Sequence, residues 1–466
     1  MNEYNWKIEH QCPQCGAPVI LDEADRLLFC PFCRTRLYLT TPDHFRYHIP
    51  IAAINSADLV YIPYWRLKGN GFLVQAREVA PRFIDINSLA VDNKKLPASL
   101  GLRPQVMNLK FTSPDMPGRF LQANMSSAGI MKNMDKMIDA ASPEKIMKTD
   151  MVFTEIMKNI EKAGPIVTLG RSLMADLLVA GLMSDKDIMG DAAMPESAVF
   201  YHTVIGEVIS LIYSPGYIEK DILYDAFTRK PILPWREEEM QILLSDAKPP
   251  NWQIRFVSTL CPRCGWDLEG EKNAVVMTCR NCDSVWNCPK DTFEPVPFSV
   301  MPNTSKDAVM YLPFWRMTPR CEGITLSSYA DLIRAANLPK AVQPAYETQP
   351  VYFWSPAFKV NPALFIRLAR QMTLLQPPVE LNESFGGASV HSATLPMTEA
   401  VESMMITLAC VITDKRRMYP KLANIKATAD DVMLVYHPFR ITLRELIHLS
   451  APLAIDRQAL NLGVHL

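Results

Sequence analysis

The cysteines are the residues whose spacing most clearly indicates chemistry. Eight of the eleven cysteines form two quartets, and each quartet consists of two Cys-x-x-Cys pairs separated by fourteen residues. Each pair can present two thiolates from one tight turn, and two such turns complete a tetrahedral metal site. Because cysteine occupies all four positions, no position remains for a bound water, so the pattern predicts two structural zinc ions. The predicted ligands are Cys12, Cys15, Cys30 and Cys33 in the first quartet and Cys261, Cys264, Cys279 and Cys282 in the second.

Other uses of the same cysteines stay open at the level of sequence. A rubredoxin-type iron site has the same four thiolates, so the spacing does not distinguish zinc from iron. Disulfides need an oxidising compartment, and the first six residues lack the basic and apolar regions of a secretory signal. A redox Cys-x-x-Cys normally stands alone at the start of a helix. Gly16 and Gly265 directly follow the first pair of each quartet and allow a positive φ there, which favours metal knuckles.

The knuckles Cys12-Pro-Gln-Cys15-Gly16 and Cys261-Pro-Arg-Cys264-Gly265 resemble those of zinc ribbons, such as the transcription factor IIB ribbon and ribbons of many bacterial proteins. The resemblance covers the two ribbons and implies a fold and a metal, because ribbons serve nucleic-acid binding, protein docking and structural support alike. The first ribbon departs from nucleic-acid-binding ribbons because its charged residues are mostly acidic. Between the first and last cysteines of that quartet, they are Asp22, Glu23, Asp25 and Arg26.

The chain also contains an internal repeat. Residues 61–66 (Tyr-Ile-Pro-Tyr-Trp-Arg) recur as residues 311–316 (Tyr-Leu-Pro-Phe-Trp-Arg). Three further landmarks recur in the same order: residues 96–97 at 338–339, residues 111–114 at 353–356, and residues 201–202 at 436–437. Together with the ribbons, this order predicts a tandem duplication. The whole chain is similar to uncharacterised bacterial proteins that pair a ribbon with a Tyr-x-Pro-aromatic-Trp-Arg strand.

The predicted fold class is α+β, in which each half has a four-cysteine zinc ribbon followed by an antiparallel β-rich body with inserted helices. The predicted domains are zinc ribbon 1 (1–50), the first body (51–248), zinc ribbon 2 (249–295) and the second body (296–466). Helical spacing of apolar residues indicates Met-rich helices between 131 and 160, and further helices over 365–375 and 398–412, the last with Thr398 as N-cap. Each half is predicted to close with strands, over 198–231 and 430–461, and Ser214-Pro215-Gly216 indicates a turn.

The repeated Trp-Arg strand has two interpretations. Trp65 and Arg66, like Trp315 and Arg316, could stack on a base, a cation or an aromatic side chain of a partner. Aromatic-rich strands more often serve packing, and we favour that interpretation. Proline inside a strand indicates an edge or a bulge, and an edge would expose the strand to a partner chain.

No catalytic constellation is evident. The sequence has no Gly-x-Ser-x-Gly, no His-Glu-x-x-His and no Gly-x-Gly-x-x-Gly, and it holds only 18 glycines against 37 prolines. His202 and His437 occupy matching repeat positions and are expected to be structural, because a catalytic or ligand role needs convergent partners. Cys288 follows the second quartet by six residues and could be a spare ligand, but we favour a buried thiol or a loop residue; Cys410 is expected to be a core residue.

Net charge and hydropathy argue against two classes of protein: those that bind bulk nucleic acid and those that span a membrane with helices. The chain has 48 Lys and Arg and 49 Asp and Glu, a net charge of −1, so it lacks the positive excess of proteins that bind bulk nucleic acid. No apolar run reaches the roughly 20 residues of a transmembrane helix, and the predicted localisation is cytoplasmic. The favoured hypothesis is a zinc-binding, non-enzymatic interaction or scaffold protein with a protein partner. The alternatives are a transcription-type, nucleic-acid-associated ribbon factor and an enzyme whose site lies between the two repeats.

Overall fold

The computed structural model of the chain is built mostly of strands, with few helices and several sheets, which fits a β-rich α+β fold. The predicted Met-rich helices between 131 and 160 lie outside the described residues. No helix among the described residues has both the length and the apolar character needed to cross a bilayer. The described residues are 6–51, 58–101, 108–113, 115–125, 199–241, 243–244, 254–303, 305, 307–380 and 382–463.

The first half is dominated by one ten-stranded sheet. Its elements are β1 (Lys7–Gln11), β2 (Pro18–Asp22), β3 (Leu27–Phe29), β4 (Arg36–Thr40), β5 (Phe45–His48), β6 (Leu59–Gln75), β7 (Val79–Leu89), β8 (Leu109–Phe111), β9 (Arg119–Phe120), β10 (Val199–Glu219), β11 (Ile222–Asp225), β12 (Pro231–Pro234) and α1 (Glu237–Gln241). The strand order is β12-β11-β10-β5-β8-β1-β2, and β6 pairs with β10, β7 and β9. The long antiparallel pair β6–β10 therefore forms the spine of this half, while β3 and β4 lie outside its sheet.

The second half has a seven-stranded sheet covered by helices. Its elements are β13 (Arg255–Ser258), β14 (Val276–Cys279), β15 (Ser284–Asn287), β16 (Glu294–Pro295), β17 (Phe298–Val300), β18 (Val309–Glu322), α2 (Tyr329–Ala335), α3 (Pro344–Thr348), β19 (Phe353–Pro356), α4 (Pro362–Leu375), β20 (Ser389–Val390), α5 (Met397–Val411), α6 (Lys415–Met418), a 3-10 helix (Tyr419–Asn424), β21 (Lys426–Ile441), β22 (Glu445–His448), β23 (Ala454–Asp456) and α7 (Arg457–Gly463). The strand order is β19-β18-β21-β22-β23, with β17 on β21 and β20 on β18. The long antiparallel pair β18–β21 is the spine here.

The repeated Pro-aromatic-Trp-Arg segment lies inside both spines, not at an edge. Pro63 faces Tyr213 of β10, and Pro313 faces Tyr436 of β21. On the opposite flank of each strand the partner changes at the proline, from a short parallel strand (β9 or β20) to an antiparallel one (β7 or β19). The missing proline N–H therefore falls at a junction between two partners, where no ladder hydrogen bond is lost. The expectation of an edge is wrong for this reason.

The packing interpretation of the two tryptophans is confirmed. Trp65 and Trp315 are both buried, and each indole donates a hydrogen bond to a backbone carbonyl. Trp65 Nε1 lies 2.6 Å from the carbonyl oxygen of Met125, and Trp315 Nε1 lies 2.9 Å from that of Leu395. A buried indole without such an acceptor would lose a hydrogen bond to water on folding, so these contacts stabilise the buried position.

One repeat landmark does not occupy equivalent positions in the two halves. Residues 109–111 form β8, which pairs with β1 and β5, whereas residues 353–356 form β19, which pairs with β18. By hydrogen bonding, the counterpart of Ala357 is instead Ala90. The amides of Ala90 and Ala357 each donate to the carbonyl of the spine proline, Pro63 or Pro313, at 3.0 Å. The resemblance of the Ser-Pro sequences is therefore not a structural correspondence.

Two predictions about where a strand or a helix begins or ends are also wrong. Ser214-Pro215-Gly216 lies within β10, and the chain turns instead at Lys220 and Asp221, which both have positive φ. The predicted helices exist as α4 and α5, but the N-cap position of α5 is Pro396 rather than Thr398, and no side chain caps it. The closing strands of both halves are present as β10–β12 and β21–β23.

The two halves pack against each other through one end of the β6–β10 spine. Phe72, Val74 and Ile205 from this end belong to the hydrophobic core of the second half. Asn70 Nδ2 donates to the carbonyl of Val360 at 2.9 Å. The backbone amides of Gly206 and Glu207 both donate to the Glu399 carboxylate at the start of α5. The interface therefore combines apolar packing with buried hydrogen bonds.

His437 and His448 form a buried imidazole pair within the second sheet. Nε2 of His448 lies 3.1 Å from Nδ1 of His437, and Nδ1 of His448 accepts a hydrogen bond from the Ser450 amide. His448 must therefore carry its proton on Nε2 and donate it to His437. Burial lowers the pKa of His448 to about 4 and that of His437 well below its ordinary value. Both rings are thus neutral in the folded protein at physiological pH.

We expect the histidine pair to reduce stability in acid. The unfolded chain takes up these protons near pH 6.5 whereas the folded chain does not, so stability falls as pH drops below about 6.5. Each such histidine contributes a slope of about 1.4 kcal/mol per pH unit until its folded-state pKa is reached. His448→Gln should show a smaller loss of unfolding free energy than the wild type when urea denaturation is repeated from pH 7.5 to 5.5. Parallel pH profiles for the two proteins would contradict this expectation.

Candidate metal centres

Two tight turns between strands present each cysteine quartet. Cys12 and Cys15 lie between β1 and β2, and Cys30 and Cys33 lie between β3 and β4. In the second quartet, Cys261 and Cys264 follow β13, and Cys279 and Cys282 flank the turn between β14 and β15. Each quartet therefore sits where two hairpin-like turns face each other, as the spacing predicted.

The sulfur atoms of each quartet have the separations of a tetrahedral metal site. The Sγ–Sγ distances are 3.7 Å for Cys12–Cys33 and 3.6 Å for Cys15–Cys30. In the second quartet they are 3.7 Å for Cys261–Cys282 and 3.5 Å for Cys264–Cys279. All four ligand atoms in each group lie within 4.8 Å of one another. A tetrahedron with metal–sulfur bonds of about 2.3 Å has edges of about 3.8 Å. Each quartet could therefore hold one metal ion, and the cysteines are not joined as disulfides.

The two quartets share one pattern of burial. The first and third cysteines are buried, the second is exposed and the fourth is partly buried. Each site is thus anchored in the core of its ribbon on one side and reaches the surface on the other. Metal binding would join exposed and buried turns of the same ribbon, which is the arrangement expected of a structural site.

Backbone conformation explains the glycine in each first knuckle. Gly16 and Gly265 have φ of 74° and 72°, and their amides donate to the carbonyls of Cys12 and Cys261 at 2.8 Å. A Cβ at either glycine would meet no atom within 4 Å, so the positive φ rather than space favours glycine. The second knuckles adopt the same left-handed conformation with side chains present, at Arg34 and Asp283.

A hydroxyl group lies beside the last cysteine of each quartet. Thr35 Oγ1 is 3.2 Å from Cys33 Sγ, and Ser284 Oγ is 3.0 Å from Cys282 Sγ. The indole of Trp286 donates to Ser284 Oγ at 2.8 Å, which leaves the serine proton free to face a thiolate. Such outer contacts orient metal ligands. Sequence reasoning missed both hydroxyls, although the signal was present: each follows its last cysteine by two residues.

Local hydrogen bonds favour a thiolate at Cys33 of the first quartet and at Cys264 of the second. The hydrogen bond to Thr35 lowers the pKa of Cys33 to about 6, and the side chain of Asn281 lowers that of Cys264 to about 6. Burial instead raises the pKa of Cys279 to about 12. A metal ion needs all four sulfurs deprotonated, so its binding to the second quartet would release the proton of Cys279.

The two ribbons are joined directly to each other. β13 of the second ribbon pairs antiparallel with β4 of the first, from Arg255 opposite Thr40 to Ser258 opposite Leu37. Leu27 and Tyr38 of the first ribbon share one hydrophobic cluster with residues of the second ribbon. The residues of the second ribbon in this shared cluster are Cys261, Leu268, Ala274, Met277, Cys279 and Trp286. Sequence patterns did not indicate this association, because it depends on pairing between distant segments.

Arg66 fixes the first ribbon to the first body. Its Nη2 lies 2.9 Å from Glu23 Oε1 and 3.3 Å from Asp85 Oδ2. Its guanidinium carbon lies 3.4 Å from the centre of the Trp6 ring, and Lys68 Nζ lies 3.5 Å from the same Glu23 oxygen. Burial raises the pKa of Glu23, and the two cations oppose that rise. Arg66 is therefore a buried structural residue and not a free group for stacking on a ligand.

His10, Cys288 and Cys410 lie outside the two quartets. His10 stacks on Phe256, with ring centres 5.4 Å apart, and packs edge-on against Phe111. Cys288 is half-buried, and burial raises its pKa to about 11. Cys410 is partly buried rather than fully in the core. None of these three belongs to a ligand group among the described residues.

A cleft of about 600 Å³ lies where the ribbons meet the two bodies, in the region of the enzyme alternative. Glu207, Glu399 and Glu402 line it together with Arg26 and His44. Glu399 accepts hydrogen bonds from two backbone amides, and burial raises its pKa. Burial lowers the pKa of His44 to about 4, so that ring is neutral. The Glu399 carboxylate therefore forms hydrogen bonds that connect the two halves of the chain.

Comparison of the chain with protein-family models, curated proteins and solved structures finds no match. The geometry of the cysteine quartets is therefore the observation from which a function can be argued.

Proposed function

We propose that the protein is a zinc-binding, non-enzymatic interaction or scaffold protein of the cytoplasm, built around two structural four-cysteine zinc ribbons. The observation that carries this proposal is the geometry of the two quartets: in each, two pairs of sulfurs stand 3.5–3.7 Å apart and all four sulfurs lie within 4.8 Å of one another. Four thiolates favour zinc or iron, and complete sulfur coordination leaves no position for substrate. A reducing cytoplasm would keep the thiols available for the metal.

The proposal includes a tandem duplication with the domains 1–50, 51–248, 249–295 and 296–466. It is supported by the equivalent proline junctions at Pro63 and Pro313 and by the equivalent indole contacts of Trp65 and Trp315. The hydroxyls of Thr35 and Ser284 add a matched pair at the metal sites. The two copies differ in their docking, because Arg66 forms a buried ion pair with ribbon 1 whereas Arg316 faces Asp431 of its own body.

Elemental analysis tests the metal assignment. We expect two zinc ions per chain in the wild type and one in Cys12→Ala, because three thiolates no longer close the first site. Cys321→Ala serves as the matched control, since Cys321 lies in β18 away from both quartets, and it should retain two ions. Full zinc content in Cys12→Ala would show that the first site is misassigned. Iron in place of zinc would keep the structural role but overturn the identity of the metal.

A further inference from the structure

Three exposed apolar residues of the two ribbons lie in or directly beside the metal knuckles. Phe32 is 67% exposed, Leu260 51% and Trp266 59%. Single exposed apolar residues are normal on protein surfaces, but contiguous groups mark interaction sites. Phe32 belongs to the first ribbon, and the other two belong to the second.

Strand pairing brings these residues to one end of the same small sheet. The β4–β13 register runs to Ser258 opposite Leu37, and the next residue, Thr259, donates its hydroxyl to the carbonyl of Arg36. Leu260 follows directly. The amide of Cys261 donates to the carbonyl of Trp266 at 2.7 Å, which holds Trp266 next to that position.

Phe32 reaches the same end from the neighbouring turn. It lies in the knuckle between β3 and β4, which is closed by a hydrogen bond from the Cys30 amide to the carbonyl of Thr35 at 3.1 Å. Thr35 directly precedes Arg36, the residue that meets Thr259. The apolar side chains of the two ribbons are therefore presented by adjoining knuckles, in an arrangement that depends on the ribbon–ribbon pairing.

Basic side chains accompany the apolar ones. Arg34 and Arg263 are exposed residues of these two knuckles, and Arg36, the first residue of β4, is exposed beside them. In the part of the chain that the structure describes, no carboxylate lies within ion-pair distance of any of the three. Arg36 instead lies over the ring of Phe29, 5.8 Å from its centre. Arginine and aromatic residues are the types enriched at the centres of protein interfaces.

We propose that this knuckle surface, formed by Phe32, Leu260, Trp266, Arg34, Arg36 and Arg263, docks an acidic protein segment that carries apolar side chains. The inference rests on the proposed interaction function and names its surface and its class of partner. Three guanidinium groups that have no ion-pair partner among the described residues complement carboxylates. The three apolar residues supply apolar contact area between these charges.

A protein segment fits this surface better than a nucleic acid. The neighbouring cleft between the ribbons is lined by the carboxylates of Asp22, Asp25, Glu269 and Glu271 and by the cations of Arg36, Lys272 and Arg280. With four carboxylates and three cations, this cleft offers no continuous basic track along which a phosphate backbone could extend beyond the knuckles. The net charge of −1 also gives no long-range attraction for a polyanion. A short peptide can place its carboxylates on Arg34 and Arg263 without entering this cleft.

Selection of random dodecapeptides displayed on phage against the full-length, metal-loaded protein tests the proposal. Enriched peptides should combine Asp or Glu with Phe, Leu or Trp. The synthetic form of the most enriched peptide should lose about tenfold or more in affinity with Trp266→Ser and with Arg263→Glu, measured by fluorescence anisotropy. Leu443→Ser is the control, because Leu443 is 96% exposed but lies between β21 and β22, and it should bind like the wild type.

The outcomes separate this inference from the proposed function. Enriched peptides without acidic residues, no enrichment, or affinity unchanged by both knuckle variants would overturn the docking surface while the zinc content stays at two. Tight binding of oligo(dT) or oligo(U) that both variants abolish would assign the surface to nucleic acid and also overturn the inference. Loss of zinc from the wild type would instead count against the proposed function. Both variants should retain two zinc ions, which shows that the ribbons remain folded.

Discussion

Replacing Cys279 with serine is expected to release one metal ion and to loosen strands of both ribbons. Cys279 lies in the hydrophobic cluster that also contains Leu27 and Tyr38 of the first ribbon. Binding of a structural zinc supplies on the order of 10–16 kcal/mol to small zinc-binding peptides, so its loss should unfold the second ribbon. β4 would then lose its partner β13 along the register from Thr40 to Leu37. Hydrogen exchange with mass spectrometry should show reduced protection in β3 and β4 as well as in β14 and β15.

Cys15→Ser is the matched control for this expectation. Cys15 is exposed, and its quartet lies in the ribbon whose buried residues Cys12, Leu28 and Cys30 pack in the core of the first body. The variant should release the other metal ion and loosen the turn between β1 and β2. Protection in β14 and β15 should persist, because most of their hydrophobic cluster comes from the second ribbon itself. Unchanged protection of β4 in Cys279→Ser would show that the ribbons are stabilised independently.

The metal quartets could be predicted from sequence because their chemistry is local. Each knuckle is a turn of a few residues, and the separation of cysteines within it follows from the geometry of one metal ion. The positive φ of Gly16 and Gly265 was predictable for the same reason. Thr35 and Ser284 were equally local, and their matched distance from the last cysteine was a usable signal.

The positions of prolines were misleading because their effect depends on neighbours that are distant in sequence. Proline is excluded from a central strand only where a partner needs its N–H. At Pro63 and Pro313 the flanking partner changes, so the strand continues through the middle of the sheet. The same limit applies to Ser214-Pro215-Gly216, which resembles a turn but is held in β10 by pairing with β6.

Long-range association between the parts of the chain could not be read from the sequence. The pairing of β13 with β4 and the contact between Asn70 and Val360 join segments that are more than 200 positions apart. The partner of Arg66 is Glu23 in the ribbon, and nothing in the repeated Trp-Arg motif distinguishes this arginine from Arg316. The two copies of the motif therefore resemble each other in sequence but have different environments. The same substitution made in each copy can thus be compared to measure the effect of the environment.

Glu23→Gln should be the most destabilising single change in the network that holds ribbon 1. The carboxylate of Glu23 is 1% exposed and faces both Arg66 and Lys68, so its loss removes the buried anion that two buried cations share. Removing one partner of a buried ion pair typically costs about 3–5 kcal/mol. Arg66→Met should cost less than Glu23→Gln, because Lys68 still compensates Glu23 and methionine keeps apolar packing against Trp6. Urea denaturation of the zinc-loaded proteins measures both free energies of unfolding.

Arg316→Met provides the matched control in the second half. Arg316 Nη2 lies 4.0 Å from the carboxylate of Asp431, which is 61% exposed, so water screens this pair. Exposed ion pairs contribute about 0–1 kcal/mol, and the variant should be close to the wild type apart from lost stacking on Tyr352. If Arg66→Met and Arg316→Met cost the same, burial between ribbon and body does not strengthen the Arg66 contacts. A larger cost at Arg66, accompanied by increased hydrogen exchange in β1 and β2, would show that this arginine couples the first ribbon to its body.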